Sequence, residues 1–527
     1  MTSLIREAST VVTIGSSNVS LGDVLAIARG EVQVALDAGP AFRARIAASQ
    51  RAVRDQLESG RPVYGVTTGV GASVSNEIAT EHQGTLPHNI LRFHGCGTGR
   101  LLDETEAAAV VAVRLISLAK GHSGVRLELL ERLCEILNQR FLPRIPAEGS
   151  VGASGDLTPL SYLAALLVGE REATLGGRET TAAAAHAELG LEPLRLAPKE
   201  SLALMNGTTV MTALGCLALD QSRHAARAAA AVTAILSQAT HGNPAHFDSR
   251  IFAWKPHPGS TRCAAWIRSD LHAGTRRDGP PTDRLQDRYS LRCAPHVVGV
   301  LLDAVDLTAR ILEVEVNGAD DNPLIDPEHG DVLHGGNFYG GHVAFAMDSL
   351  KAAVASVADL LDRQLCLLCV PETSGGLPAN LVAGTGADAA THHGFKAMQI
   401  STSALTAEAL KLTMPAAAFS RSTESHNQDK VSMGTIAARD ALRVLELTET
   451  VVAILILAAC QAVDLRGDEI TSVRALALHR TVRKAVPMLA ADRRQDIDIE
   501  AVLEMYRSGD LALGECHDEE GTGPPHS

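Results

Sequence analysis

Aromatic side chains are the first shortage: Phe, Trp and Tyr together make up 3% of 527 residues. The apolar 46% is carried instead mainly by alanine, leucine and valine. Alanine and leucine are strong helix formers, so an α-rich fold is expected before any motif is read. Positive charge is short as well. With 47 Lys and Arg against 61 Asp and Glu the chain carries −14, and a nucleic-acid partner, which needs a basic face, is not expected. Nine cysteines at irregular spacing do not make a disulfide framework, which fits a reducing, cytoplasmic setting. Residues 1–7 lack the apolar stretch of a signal peptide. Long apolar runs are missing too. The most hydrophobic segment, 451–460, is soon followed by Gln461 and Asp464, well short of the roughly 20 apolar residues that span a bilayer. It reads as a buried core helix, with no membrane partner.

What is present divides in two along the chain. Residues 1–200 alternate helical patterns, such as 41–59 and 104–119, with Gly-rich turns at 64–71 and 95–99. The stretch 169–198, broken by Gly176, Gly177, Pro193 and Pro198, reads as a surface excursion. Residues 201–513 hold long Ala/Leu/Val-rich segments at 208–237, 295–316, 341–368, 397–412 and 431–463. Several exceed the mean helix of about 11–12 residues by a factor of two or more. Being apolar nearly all round, they belong inside a bundle or against other subunits. The tail 514–527, rich in Gly, Pro and acidic residues, is expected to be disordered. The fold class is therefore mainly α, with an N-terminal α-rich part followed by a long-helix bundle.

The segment GSVGASGDLTPL, residues 149–160, is the most informative. Its small residues permit a close backbone approach that bulkier side chains would block. In Ala153-Ser154-Gly155 the Gly155 nitrogen can attack the Ala153 carbonyl to close a five-membered ring. Loss of water, including the Ser154 hydroxyl, leaves an exocyclic methylidene, which is an electrophile. Alone, the tripeptide would be an ordinary turn. A serine-hydrolase elbow is a weaker reading still, because the G-x-S-x-G spacing is absent.

The surroundings change that reading. GSVGASGDLTPL closely resembles the signature of the histidine/phenylalanine/tyrosine ammonia-lyase family, whose tripeptide becomes 4-methylidene-imidazol-5-one. The likeness continues through YGVTTGVG (64–71), MNGT (205–208), QDRYSLR (286–292), DNPL (321–324), GNF (336–338) and NQDKVSM (427–433), in the family's order. It implies the mainly α ammonia-lyase fold, a prosthetic group formed from Ala153, Ser154 and Gly155, and a homotetramer whose sites are shared between subunits. No metal or nucleotide is implied.

The resemblance also assigns roles. An amino acid must lose an unactivated β-proton and its amine, and adding the amine to the methylidene carbon makes it a better leaving group. Tyr64, in a Gly/Thr loop, matches the family's base. A free phenol titrates near 10, so a working base needs its phenolate stabilised. Arg292 suits a carboxylate clamp, because a guanidinium offers two parallel donors and an ammonium does not. Tyr289, three residues earlier, would share its face on a helix and by resemblance is a second phenol of the site. Asn206 and Gln286 would bond the ring or the amino-acid end of the substrate. Asn322 and Phe338 match pocket positions.

Substrate choice rests on three residues. Histidine lyases carry glutamate where this chain has Gln428, so a neutral group here resembles the phenylalanine and tyrosine enzymes. The pair Phe93-His94 is a hybrid: Phe93 follows the phenylalanine pattern and His94 the histidine one. The expectation is elimination of ammonia from an aromatic L-amino acid, phenylalanine first and tyrosine second, giving an arylacrylate. A 2,3-aminomutase or a histidine ammonia-lyase are the alternatives, with a non-catalytic helical scaffold behind them. Three minor motifs are set aside. Cys366-x-x-Cys369 lies in an apolar helical run and reads as buried thiols. Gly384-Thr-Gly386 lacks a third glycine for a nucleotide loop. His392-His393 would point apart on a helix, with no carboxylate partner in view.

Overall fold

The structure is a computed structural model that describes residues 11–153, 156–272, 285–384 and 386–514. It is mainly α. The strands among the described residues are at most four residues long and form only small sheets. The long apolar segments all become helices: Thr209–Ala239, Ala294–Val316, Gly341–Cys369, Lys396–Lys411 and Gly434–Arg466. No helix among the described residues is long and apolar enough to cross a membrane.

The chain divides into two compact units, each threaded by three segments. One unit comprises Met1–Ala218, Thr308–Asp348 and Pro415–Arg439; the other comprises Leu219–Leu307, Ser349–Met414 and Asp440–Ser527. Residues 515–527, nearly all of the proposed disordered tail, lie outside the described residues.

In the first unit the helix Glu104–Ala119 is the centre of the core, buried continuously from Glu106 onward. Its start is fixed by a capping box in which Asp103 accepts from the Glu106 amide at 2.8 Å and Glu106 from the Asp103 amide at 2.9 Å. Arg114 stands on this apolar helix wholly buried and is neutralised by Asp320 in a bidentate contact at 2.7 and 2.9 Å. The stretch 169–198 carries the hairpin Glu172–Leu175/Arg178–Thr181 and the helix Ala182–Leu189.

In the second unit, Val451–Val463 of the helix Gly434–Arg466 is almost entirely core, as the hydropathy of that run requires. Cys369 is buried, with its thiol pushed up to about 12 by desolvation, and Cys366 is raised for the same reason. His392 and His393 differ from expectation. They lie just past the short 3₁₀ turn Gly386–Thr391 rather than on an α-helix. A carboxylate does face them: Asp492 lies 4.0 and 3.5 Å from their Nδ1 atoms and accepts from the His393 and Gly394 amides. This partner is about a hundred residues away in sequence, where no local pattern could reveal it. Three groups of metal-binding type do not converge anywhere among the described residues.

Candidate active site

Ser154 and Gly155 lie outside the described residues, and the site is built from what holds their neighbours. On the N-terminal side Val151 O accepts from the Met433 amide at 3.0 Å and Gly152 O from the Ser432 hydroxyl at 3.0 Å. Gly152 sits at φ +68, and a Cβ there would lie 2.5 Å from Ser432 Oγ, so only glycine passes. On the C-terminal side the Asp156 amide donates to Gly207 O at 2.9 Å. The fully buried Asp156 carboxylate accepts from the Met211 amide at 3.0 Å, from Ser150 Oγ at 2.9 Å and from Thr435 Oγ1. It lies at the N-terminus of the helix Thr209–Ala239, where a carboxylate is favoured. Burial pushes this carboxyl up, and the hydrogen bonds oppose that shift. Ala153 itself is buried. The residues that flank the tripeptide on both sides are thus clamped.

Asn206 closes the short helix Glu200–Met205 and is buried. Its Nδ2 donates to the Asn322 carbonyl at 2.9 Å, which fixes the amide orientation, since a carbonyl can only accept. Its Oδ1 has no partner among the described residues. Arg114 Nη1 holds the Asn206 carbonyl at 2.7 Å, and the Asn322 amide rests on Asp321, which pairs with the buried Lys199.

Tyr64 occupies a turn in which its hydroxyl accepts from the Gly71 amide at 2.7 Å. The neighbouring Ala72 amide donates to Glu424 Oε1 at 2.7 Å, and Asn427 Nδ2 donates to Oε2 at 2.8 Å. Gly71 has a left-handed φ of +57, and a Cβ there would lie 2.2 Å from Glu424 Oε1 and displace that carboxylate. Burial, and then the Glu424 charge, push the Tyr64 phenol up from its ordinary value, while the Gly71 amide pulls it down. The loop therefore favours the protonated phenol, and positive charge must come from outside it to free the phenolate.

Glu424 belongs to a strained turn. Thr423 and Gln428 pair through their backbones at 3.0 and 3.3 Å, and Glu424, Ser425 and His426 between them all have φ between +51 and +65. Such left-handed residues cost roughly 1–2 kcal/mol each. Gln428 is half-buried at the end of this turn.

His94 ends the helix Leu86–Phe93. Its Nδ1 meets the Ile90 carbonyl at 2.8 Å and must carry the hydrogen, leaving Nε2 as an acceptor. Burial first, and then the Arg171 charge, lower its pKa against the Ile90 hydrogen bond and the Glu424 charge, which favours the neutral ring. The Phe93 ring lies 4.0 Å from it, tilted by 34°, and is 58% exposed. His94 and Tyr64 share Glu424 as an electrostatic neighbour.

In the other unit, the last four residues of QDRYSLR form the helix Tyr289–Arg292. Arg292 Nε donates to the Asp287 carbonyl at 2.9 Å, and its guanidinium stacks 4.7 Å above the exposed Tyr289 ring, as the three-residue spacing foretold. Gln364 holds this turn by donating to Ser290 O at 2.8 Å. Gln286 is exposed just before it. Phe338, in the first unit, is half-buried between the strand Val332–Leu333 and the helix Gly341–Cys369. Sequence reasoning missed Glu424, which stands four residues before Gln428. It also missed Asp156 and the Arg114–Asp320 support. A buried charge inside an apolar helix was the signal for Arg114; the placement of Glu424 had none.

Comparison with known proteins fits this geometry. The profile of the family described as aromatic amino acid lyase matches residues 19–484. A histidine ammonia-lyase from Sorangium cellulosum (strain So ce56) is 40% identical over 517 residues, covering 96% of this chain and 98% of that protein. Among solved structures, a tyrosine aminomutase from Streptomyces globisporus superposes with a TM-score of 0.88 at 37% identity, covering 95% of this chain and 97% of the other. A histidine ammonia-lyase from Trypanosoma cruzi gives 0.88 at 32% identity, covering 98% and 99%.

Proposed function

This chain belongs to the aromatic amino acid lyase family and is a carbon–nitrogen lyase, and we propose that its substrate is an L-amino acid whose ring offers a hydrogen-bond donor, L-histidine first. The observation that carries this is the neutral His94, whose Nε2 is an acceptor. An imidazole N–H or a phenol O–H satisfies it, whereas phenylalanine brings no donor. The phenylalanine-first expectation is therefore replaced. Histidine leads because the nearly full-length relatives are named histidine ammonia-lyases. Glu424 also restores near His94 and Tyr64 a carboxylate that Gln428 lacks.

Residues 153–155 would form 4-methylidene-imidazol-5-one, which supplies an electrophile toward the substrate amine. The clamped flanks and the unpaired Asn206 Oδ1 fit a site prepared for it. Asn206 Oδ1 accepts from the substrate's amino end. Arg292, with Gln286 and Tyr289 beside it, pairs with the carboxylate. Phe93, Asn322, Phe338 and Gln428 shape the pocket. Tyr64 Oη takes the β-proton, its phenolate helped by the Gly71 amide and by the substrate's own positive charge. The active form is a homotetramer that shares these groups between copies. Large apolar side chains left exposed on long helices, such as Val314 at 73% and Ile400 at 69%, support this.

A second reading, migration of the amine of L-tyrosine to its β-carbon, is favoured by Gln428 and by the likeness to the tyrosine aminomutase. Incubation with L-histidine, L-tyrosine and L-phenylalanine, following acrylate absorbance, free ammonia and β-amino acid, separates the readings. Acrylate and ammonia from histidine support the first. β-Tyrosine without ammonia supports the second. Phenylalanine turned over faster than both would sink the role given to His94.

A further inference from the structure

Apart from these residues, the first unit has a groove of about 750 Å³, within the roughly 300–1,000 Å³ usual for small-molecule sites. One wall is the helix Pro40–Glu58, which presents Ala44, Ala48 and Arg51 at successive turns, with Arg45 beside them. The other is the hairpin Leu324–Ile325/Val332–Leu333 with its turn. His122 ties the floor to that hairpin: its carbonyl accepts from the Ile325 amide at 2.7 Å, and its Nδ1 donates to the Ile325 carbonyl at 3.1 Å.

The charges are arranged unequally. Arg45 and Arg51 have no carboxylate partner among the described residues, although both line a groove that contains two carboxylates. Arg45 makes long hydrogen bonds, 3.4 Å to Ser16 Oγ and 3.3 Å to Ala119 O, its guanidinium lies 5.7 Å from the Phe42 ring centroid, and its buried Nε has no hydrogen-bond partner among the described residues. Asp326 is already engaged by His329 Nδ1 at 2.8 Å and by the Glu328 amide at 2.9 Å. Glu328 remains on the hairpin wall as an acidic group, opposite the arginines, with Leu324, Ile325 and Leu333 lining the space as apolar surface.

We propose that this groove binds a free apolar α-amino acid. Its carboxylate pairs with Arg45 and Arg51, its ammonium with Glu328, and its side chain packs on Leu324 and Leu333. A zwitterion satisfies both signs of charge at once, whereas a simple carboxylate leaves Glu328 facing an anion and a simple amine leaves the arginines unpaired.

The test uses full-length protein carrying Ser154→Ala, so that turnover does not interfere, with L-leucine, 4-methylpentanoate and 3-methylbutylamine titrated by calorimetry. L-Leucine is expected to bind, and each half-charged analogue to bind about tenfold or more weakly. Arg51→Gln, on an exposed side chain, and Glu328→Gln should each weaken L-leucine by about tenfold. Arg292→Met should leave that binding unchanged, which separates the groove from the catalytic pocket. No L-leucine binding, binding indifferent to both groove variants, or binding lost with Arg292→Met would each overturn the proposal. These outcomes do not depend on which substrate the enzyme turns over.

Discussion

The side chain of Asn206 donates to the backbone carbonyl of Asn322 at 2.9 Å, joining two motifs that lie 116 residues apart. The bond orients the amide and leaves its buried Oδ1 as an acceptor without a partner among the described residues. An unmade hydrogen bond of that kind costs about 1–3 kcal/mol, and a bound ammonium recovers it. Asn206→Ala is therefore expected to lower kcat/KM by about 10–100-fold while circular dichroism stays native. Wild-type kcat/KM would remove Asn206 from the site.

Glu424 raises the Tyr64 pKa, because a carboxylate beside a phenol opposes its ionisation. A base must be deprotonated, so activity should rise with pH through that raised value. Glu424→Gln keeps an oxygen for the Ala72 amide and removes the charge. The acid limb of the kcat/KM profile should then move to lower pH. A limb that stays put or moves upward would separate Tyr64 from the titrating group.

His94 decides ring preference if its Nε2 accepts from the substrate. Replacing it with Phe removes the acceptor while keeping a planar ring. We expect kcat/KM for L-histidine or L-tyrosine to fall by about tenfold, which is about 1.4 kcal/mol, and that for L-phenylalanine to hold or rise. Equal losses on all three substrates would point to packing alone.

Ser154→Ala removes the hydroxyl whose loss would complete the proposed ring. The near-UV absorbance of the prosthetic group should vanish together with turnover, while the far-UV spectrum persists. Unchanged turnover in this variant would refute the mechanism.

Arg114 and Asp320 form a buried ion pair under Asn206. Removing one partner leaves the other charge buried and unpaired, at a cost of about 3–5 kcal/mol. Arg114→Met should lower the denaturant midpoint accordingly. A midpoint within experimental error of wild type would show that the pair does not support this part of the site.

Much of the fold was legible because its helices are long and strongly apolar. The expected segments 104–119 and 295–316 differ from the observed Glu104–Ala119 and Ala294–Val316 by one residue at most. The tripeptide and its companion motifs were equally legible, since each is a local run of particular residues. Glu424 was not. Its carboxylate meets the Ala72 amide 352 residues away in sequence, and the meeting depends on a turn with three left-handed residues that no propensity anticipates. The Asp492 partner of His392 and His393 was hidden for the same reason.

The sequence by itself determined the helical class, the family motifs and the tripeptide proposed to form the electrophile, because short-range backbone chemistry and hydropathy set all three. Tertiary structure alone decided which protonation states of Tyr64 and His94 are favoured and how the two are oriented. Burial favours the neutral form of His94, the Ile90 carbonyl fixes which nitrogen of that form carries the hydrogen, and Glu424 opposes the Tyr64 phenolate. Desolvation and Coulomb interactions depend on distances in space, and a linear chain does not contain those distances.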